Sequence, residues 1–150
     1  MTTLALAGIG PVTTTWDPPL IQSVTTSHVK DTGAFTSLSL IGEPQVLLLA
    51  DKGVGTVTGT CVGAPQAFNF SGTLEWSDEV ESAYTVTALT QERVEGHTVN
   101  RSVATITSGR LTGAQINFLA IRLGDQLTGC LTGGGVSSAK GYEIILITTS

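Results

Sequence analysis

The sequence predicts an all-β protein, a single antiparallel β-barrel of about eight to ten strands, with a β-sandwich as the alternative. Three observations lead there. First, 24 of the 150 residues are Thr, 12 are Ser and 18 are Gly, while only 13% are charged. Thr and Val favour pleated strands, Gly serves turns and bulges, and helix formers are scarce. Second, residues 66–76 alternate: Phe68, Phe70, Gly72, Leu74 and Trp76 share one parity, and Asn69, Ser71, Thr73 and Glu75 take the other. An extended chain points successive side chains to opposite faces, so this is a half-buried strand with an aromatic inner face. Third, long strand-like segments are joined by short turns, the pattern of an up-and-down meander. Such a meander tends to close on itself, which removes its edges. Residues 1–150 are long enough for one domain with its own core.

Taken in order, residues 1–10 form a short apolar arm that crosses the open end of a barrel or adds an edge strand. Residues 12–17 are strand-like, and Pro18 and Pro19 end them because proline cannot donate to a ladder. Residues 20–29 make the second strand. Asp31 to Gly33 is a turn; residues 34–41 alternate Phe35, Ser37 and Ser39 against Thr36, Leu38 and Leu40; Gly42 to Pro44 turns again. The apolar run 46–50 fits a strand covered on both faces. Asp51 to Gly53 reverses the chain into residues 54–62, where Gly55 and Gly59 leave gaps for the nearby Phe and Trp rings. After the aromatic strand, residues 78–81 turn. Residues 83–94 and 97–107 form a hairpin across Glu95 and Gly96. Ser108 and Gly109 turn into the longest strand, 110–123. Residues 124–141 are looser and could hold a helical turn around 126–131 as a lid. Residues 142–148 close the chain and pair with the first strand.

A net charge of −5, with seven scattered Lys and Arg, argues against a nucleic-acid partner. No run of 18 apolar residues exists to span a membrane as a helix. The mean hydropathy of +0.27 points to strands buried on both faces or to an apolar outer surface that meets a second copy, a homodimer. His28, His97 and the two cysteines lack metal-ligand spacing, no GxSxG elbow is present, and the Gly53–Gly55 pair opens a strand rather than a helix. No metal or cofactor is expected. Glu75, Asp78, Glu79 and Glu81 read as solvated turn charges rather than a general acid pair. The first basic residue is Lys30 and Gly8 interrupts the early apolar run, so no secretory signal is evident. The chain reads as cytoplasmic, with a secreted protein that has lost its signal as the alternative. Two readings of Cys61 and Cys130 compete: a disulfide worth roughly 3–4 kcal/mol in an oxidising compartment, or two buried thiols.

Phe68, Phe70, Trp76 and Tyr84 are the candidate pocket wall, joined by Trp16, Phe118 and Tyr142. Tyr and Trp add a polar handle to an apolar body, which an apolar pocket uses to fix orientation. On residues 110–123 two readings stay open. Gln115 and Asn117 face a cavity and hydrogen-bond a ligand carbonyl, or their face is outside while Ile116 and Phe118 fill the core.

The stretches GTLEWSD (72–78), TITSGRLTGA (105–114) and CLTGGGVSSAKG (130–141) resemble small all-β actinomycete proteins, which are usually secreted and often disulfide-bonded. In size, all-β reading, aromatic inner strand and paucity of catalytic-type residues, the chain also resembles the small β-barrel cyclases of polyketide antibiotic biosynthesis. Those close spirotetronate or polyether rings by Diels–Alder-type (4+2) cycloaddition. The likeness implies a cofactor-independent cyclase that takes an apolar small-molecule substrate; for such a reaction Gln115, Asn117 and Tyr84 are the candidate polar catalytic groups read from the residues. Such a reaction needs no nucleophile. Holding a flexible chain in its reactive fold is worth several kcal/mol, and one hydrogen bond to a carbonyl adds electrostatic stabilisation. The alternative is an exported, non-catalytic binding or structural sandwich with a Cys61–Cys130 bridge.

Overall fold

The computed structural model describes residues 2–61, 65–94, 97–122, 130 and 134–150. The hairpin turn expected at Glu95 and Gly96 lies outside them, as does the lid expected around 126–131 except for Cys130. Eight strands follow one another: β1 (Thr3–Leu20), β2 (Thr25–Leu40), β3 (Glu43–Gly59), β4 (Ala67–Trp76), β5 (Glu81–Val94), β6 (His97–Gly109), β7 (Gln115–Arg122) and β8 (Val136–Thr149). Each pairs antiparallel with its neighbour in sequence, and β8 returns to pair with β1, so the sheet is a closed barrel and not a sandwich.

Two expected turns are strand interior. Asp31 and Gly33 lie within β2, opposite Thr14 and Val12 of β1, and Asp51 and Gly53 lie within β3, opposite Gly33 and Asp31. Their Asp and Gly chemistry serves the inside of the barrel rather than a reversal. A Cβ at Gly33 would sit 2.4 Å from Glu143 Oε2, and one at Gly53 would sit 2.5 Å from the Phe70 ring. The apolar run 46–50 is not covered on both faces. Val46 and Leu48 point inward, Leu49 is exposed, and a register shift between Leu48 and Ala50 resets the alternation so that Asp51 and Gly53 also point inward. Such a bulge re-aims the side chains after it.

The segment 110–123 is likewise not the longest strand. Leu111 takes a left-handed φ of 61° and Gly113 one of 89°, so residues 110–114 turn and β7 is the shortest strand, at 8 residues. Residues 136–141, read as part of a loose loop, belong to β8.

The interior divides along the axis. At the end bearing the chain termini, Leu6, Leu48, Leu74, Trp76, Ile106, Ile116, Ile145 and Ile147 form a solid plug. The Trp76 indole N–H donates to Ser82 Oγ at 2.9 Å, and that hydroxyl donates to the Arg110 carbonyl at 2.7 Å, so the plug's polar atoms are paired. At the other end Trp16, Leu20, Val29, Val136 and Ala139 pack under the Cys61–Cys130 disulfide. This bridge joins the β3–β4 and β7–β8 connections. The Cys61 N–H donates to the Ile21 carbonyl and Gln22 Nε2 to the Cys130 carbonyl, which ties the β1–β2 connection to the same spot.

Candidate ligand cavity in the barrel

Between the plug and the disulfide lies a cavity of about 70 Å³. That is several times the roughly 10–15 Å³ a cavity needs to admit one water. Trp16, Val29, Val57, Phe70, Val86 and Phe118 supply its apolar wall, and it extends to the half-buried Thr60, Pro65 and Gln91 at the disulfide end.

Two paired glycines shape the wall. Gly53 and Gly72 face each other across β3 and β4, and Gly72 also faces Tyr84 across β4 and β5. A Cβ at Gly72 would stand 2.4 Å from the Tyr84 hydroxyl. The empty place above these residues therefore seats the phenol, and the Tyr84 and Phe118 rings meet at 5.4 Å. The ring packing expected at Gly55 falls instead on Gly53 and Gly72, because a Cβ at Gly55 would meet the Asn69 backbone, and tyrosine is the principal guest.

The floor is polar. Tyr84 donates to Asp51 Oδ1 at 2.6 Å, and Asp51 lies within hydrogen-bonding reach of Glu143. Burial pushes Asp51 up to about 6 against the downward pull of its hydrogen bonds to Glu143 and Tyr84. Burial first, and then the charge of Asp51, hold Glu143 well above the usual carboxyl range. The same two causes in the same order keep the Tyr84 phenol well above 10. Two carboxyls desolvated side by side cannot both ionise cheaply, so the pair holds a proton to higher pH than exposed carboxyls do.

Arg122 stands beside them on β7. It donates to Thr14 Oγ1 from Nη2 at 2.6 Å and from Nε at 3.1 Å, and Nη2 lies 3.3 Å from Asp31 Oδ1. Thr14 in turn donates to Asp31. The guanidinium lies over the Trp16 ring at 5.7 Å. Among the described residues, two buried polar atoms of this group have no protein partner, Arg122 Nη1 and Glu143 Oε2.

Sequence reasoning brought together part of this site. Trp16, Phe70, Tyr84 and Phe118 line the cavity, and the half-buried Phe68 packs against the core beside it. Trp76 does not line it; it is 2% exposed and belongs to the plug. Gln115 and Asn117 cannot anchor an enclosed ligand. Alternation on β7 turns Ile116, Phe118, Ala120 and Arg122 inward, leaving Gln115 exposed and Asn117 on the outer face. Tyr142 is also outside, 51% exposed on β8 on the same face as Leu146 and opposite Pro11 of β1. Glu75 and Asp78 are surface groups paired with Lys52 and Arg110.

Asp31, Asp51, Arg122 and Glu143 were missed. A signal existed for two of them: Arg122 is in phase with Ile116 and Phe118, and Glu143 is in phase with Ile145 and Ile147. A charge in step with the core face is the mark of an interior polar site.

The chain matches no protein-family model, no curated protein and no solved structure. Among the described residues, no helix is long and apolar enough to cross a membrane.

Proposed function

We propose that the barrel binds an apolar small molecule and folds it for ring closure, as a cofactor-independent cyclase. The reaction would be a Diels–Alder-type cycloaddition of a linear polyketide-type chain in natural-product biosynthesis. One observation carries this reading: a cavity with an aromatic wall and a hydrogen-bonding floor inside a closed barrel. Pockets that orient small molecules are mostly apolar with a few placed polar groups. Rings that restrict a flexible chain to its reactive conformer lower the entropic part of the barrier. Arg122 Nη1, unpartnered among the described residues, can donate to a carbonyl on the dienophile, the role the sequence suggests for Gln115 and Asn117. Incubation with a linear triene bearing a terminal enone should give one cyclic stereoisomer faster than buffer does. Equal rates and equal isomer ratios would contradict cyclisation.

The Cys61–Cys130 bridge supports placing the protein in an oxidising compartment, the exported alternative. Thiol titration of the protein from its native source should then find no free thiol; two would return it to the cytoplasm.

A further inference from the structure

The cavity floor carries more carboxyl groups than its cation can serve. Asp31, Asp51 and Glu143 all line it, and among the described residues Arg122 is the only Lys or Arg that does. Arg122 spends its Nε and Nη2 on Thr14 and Asp31 on the β1–β2 side and reaches Glu143 through its charge alone, so one cation serves three carboxyl groups. Glu143 is 5% exposed, and its Oε2 is a buried acceptor without a partner among the described residues. Buried acceptors are almost always satisfied, so an orphan on a cavity wall marks a place for a donor. Asn100 Oδ1, also lining the cavity, is a second buried acceptor without a partner among the described residues. Around these groups stand the faces and edges of Trp16, Phe70 and Phe118, and aromatic faces attract organic cations. A metal ion is the poorer fit, because among the described residues no three ligating side chains converge to hold one.

We propose that the cavity floor is a binding site for a protonated amine, with the ammonium against Glu143 and Asp51 and its apolar body between Trp16, Phe70 and Phe118. This rests on the small-molecule reading above and narrows the substrate to an apolar chain bearing a basic nitrogen. The ammonium supplies the missing donors and the missing charge. Its arrival favours the ionised carboxyl pair, so binding releases protons. The ionisable groups facing the pair are Asp31 from β2, Tyr84 from β5 and Arg122 from β7; β1, β4 and β6 present Thr14, Phe70, Asn100 and Ser102, which do not titrate here. Affinity therefore falls as the pH drops through about 6, where Asp51 takes up its proton.

The test is calorimetric titration of the oxidised full chain at pH 8 with n-hexylamine, 1-hexanol and hexanoate. The amine is expected to bind at least roughly tenfold tighter than the alcohol, and the carboxylate more weakly than either. Amine binding should release protons, seen as heats that vary with the buffer's ionisation enthalpy, and should weaken at pH 5. Glu143→Gln and Asp51→Asn, each checked for native circular dichroism, should bring the amine-to-alcohol ratio close to one. If the alcohol binds as tightly as the amine, or the ratio survives in both variants, the amine site is overturned while the small-molecule cavity stands. If none of the three probes binds, the cavity reading itself falls.

Discussion

Asp51→Asn should make this protein more stable, and only above a defined pH. Burial in the folded barrel lifts Asp51 from 3.8 to about 6. A carboxyl whose pKa is raised by folding favours the folded state while it is protonated. That contribution is complete below pH 3.8 and is lost as the pH rises through about 6. At 1.36 kcal/mol per pH unit, the span from 3.8 to about 6 amounts to about 3 kcal/mol. Asparagine keeps an acceptor for the Tyr84 hydroxyl and has no proton to lose. The variant and the parent should therefore be equally stable near pH 4, and the variant about 3 kcal/mol more stable at pH 8, a rise in Tm of roughly 6–12 °C. Urea unfolding followed by far-ultraviolet circular dichroism, run on both proteins from pH 4 to pH 8, measures the difference. Comparing the two isolates Asp51 from carboxylates of opposite sign such as Asp78, whose pKa is lowered by its hydrogen bonds to the Val80 N–H and Arg110. A difference that does not change with pH, or a variant weaker than the parent at pH 8, would refute the reasoning. A stabilising substitution at a cavity residue is what a site kept for function predicts.

Three further outcomes are expected. Gly72→Ala would put a methyl group 2.4 Å from the Tyr84 hydroxyl and 2.5 Å from the Lys52 carbonyl, so it should destabilise the fold by roughly 1–3 kcal/mol in the same urea assay, whereas a neutral effect would mean the phenol is not seated there. Replacing Cys61 and Cys130 by Ser opens a loop with a sequence separation of 69 and should cost about 4 kcal/mol, measured without reductant; unchanged stability would deny the bridge a structural part. Phe118→Ala should weaken 1-hexanol binding roughly tenfold, the loss of about 1.4 kcal/mol of apolar contact, while Gln115→Ala and Asn117→Ala leave it within about twofold. The reverse ranking would put the ligand on the outside of β7.

Fold class was legible in the sequence because alternation is a property of the backbone. Phe68, Phe70, Leu74 and Trp76 point to one side in any extended chain, and the last strand, apolar on both parities, needed a partner that β1 provides. The aromatic half of the site came with it. The polar half did not, for a reason visible at Asp31 and Asp51. An Asp two residues before a Gly has the same local chemistry in a turn and in the wall of a barrel, where the glycine makes room for a neighbour's side chain. What decides between them is the partner strand, which is non-local. The bulge after Leu48 adds a second obstacle, since it moves Asp51 to the inner face against the parity of the run before it. Gln115 and Asn117 show the same ambiguity from the other side. Either face of β7 could have been inner until Arg122, opposite in parity to both, was seen to be held by Thr14 and Asp31.

A ligand enclosed by the barrel is the claim on which the functional account stands, and a crystal structure of the protein grown with n-hexylamine or 1-hexanol tests it most directly. The account predicts density for at least one of them between the rings of Trp16 and Phe118, with its polar atom at the Asp51–Glu143–Arg122 floor. Density confined to the outer surface, or native crystals whose cavity holds neither molecule at saturating concentration, would contradict it.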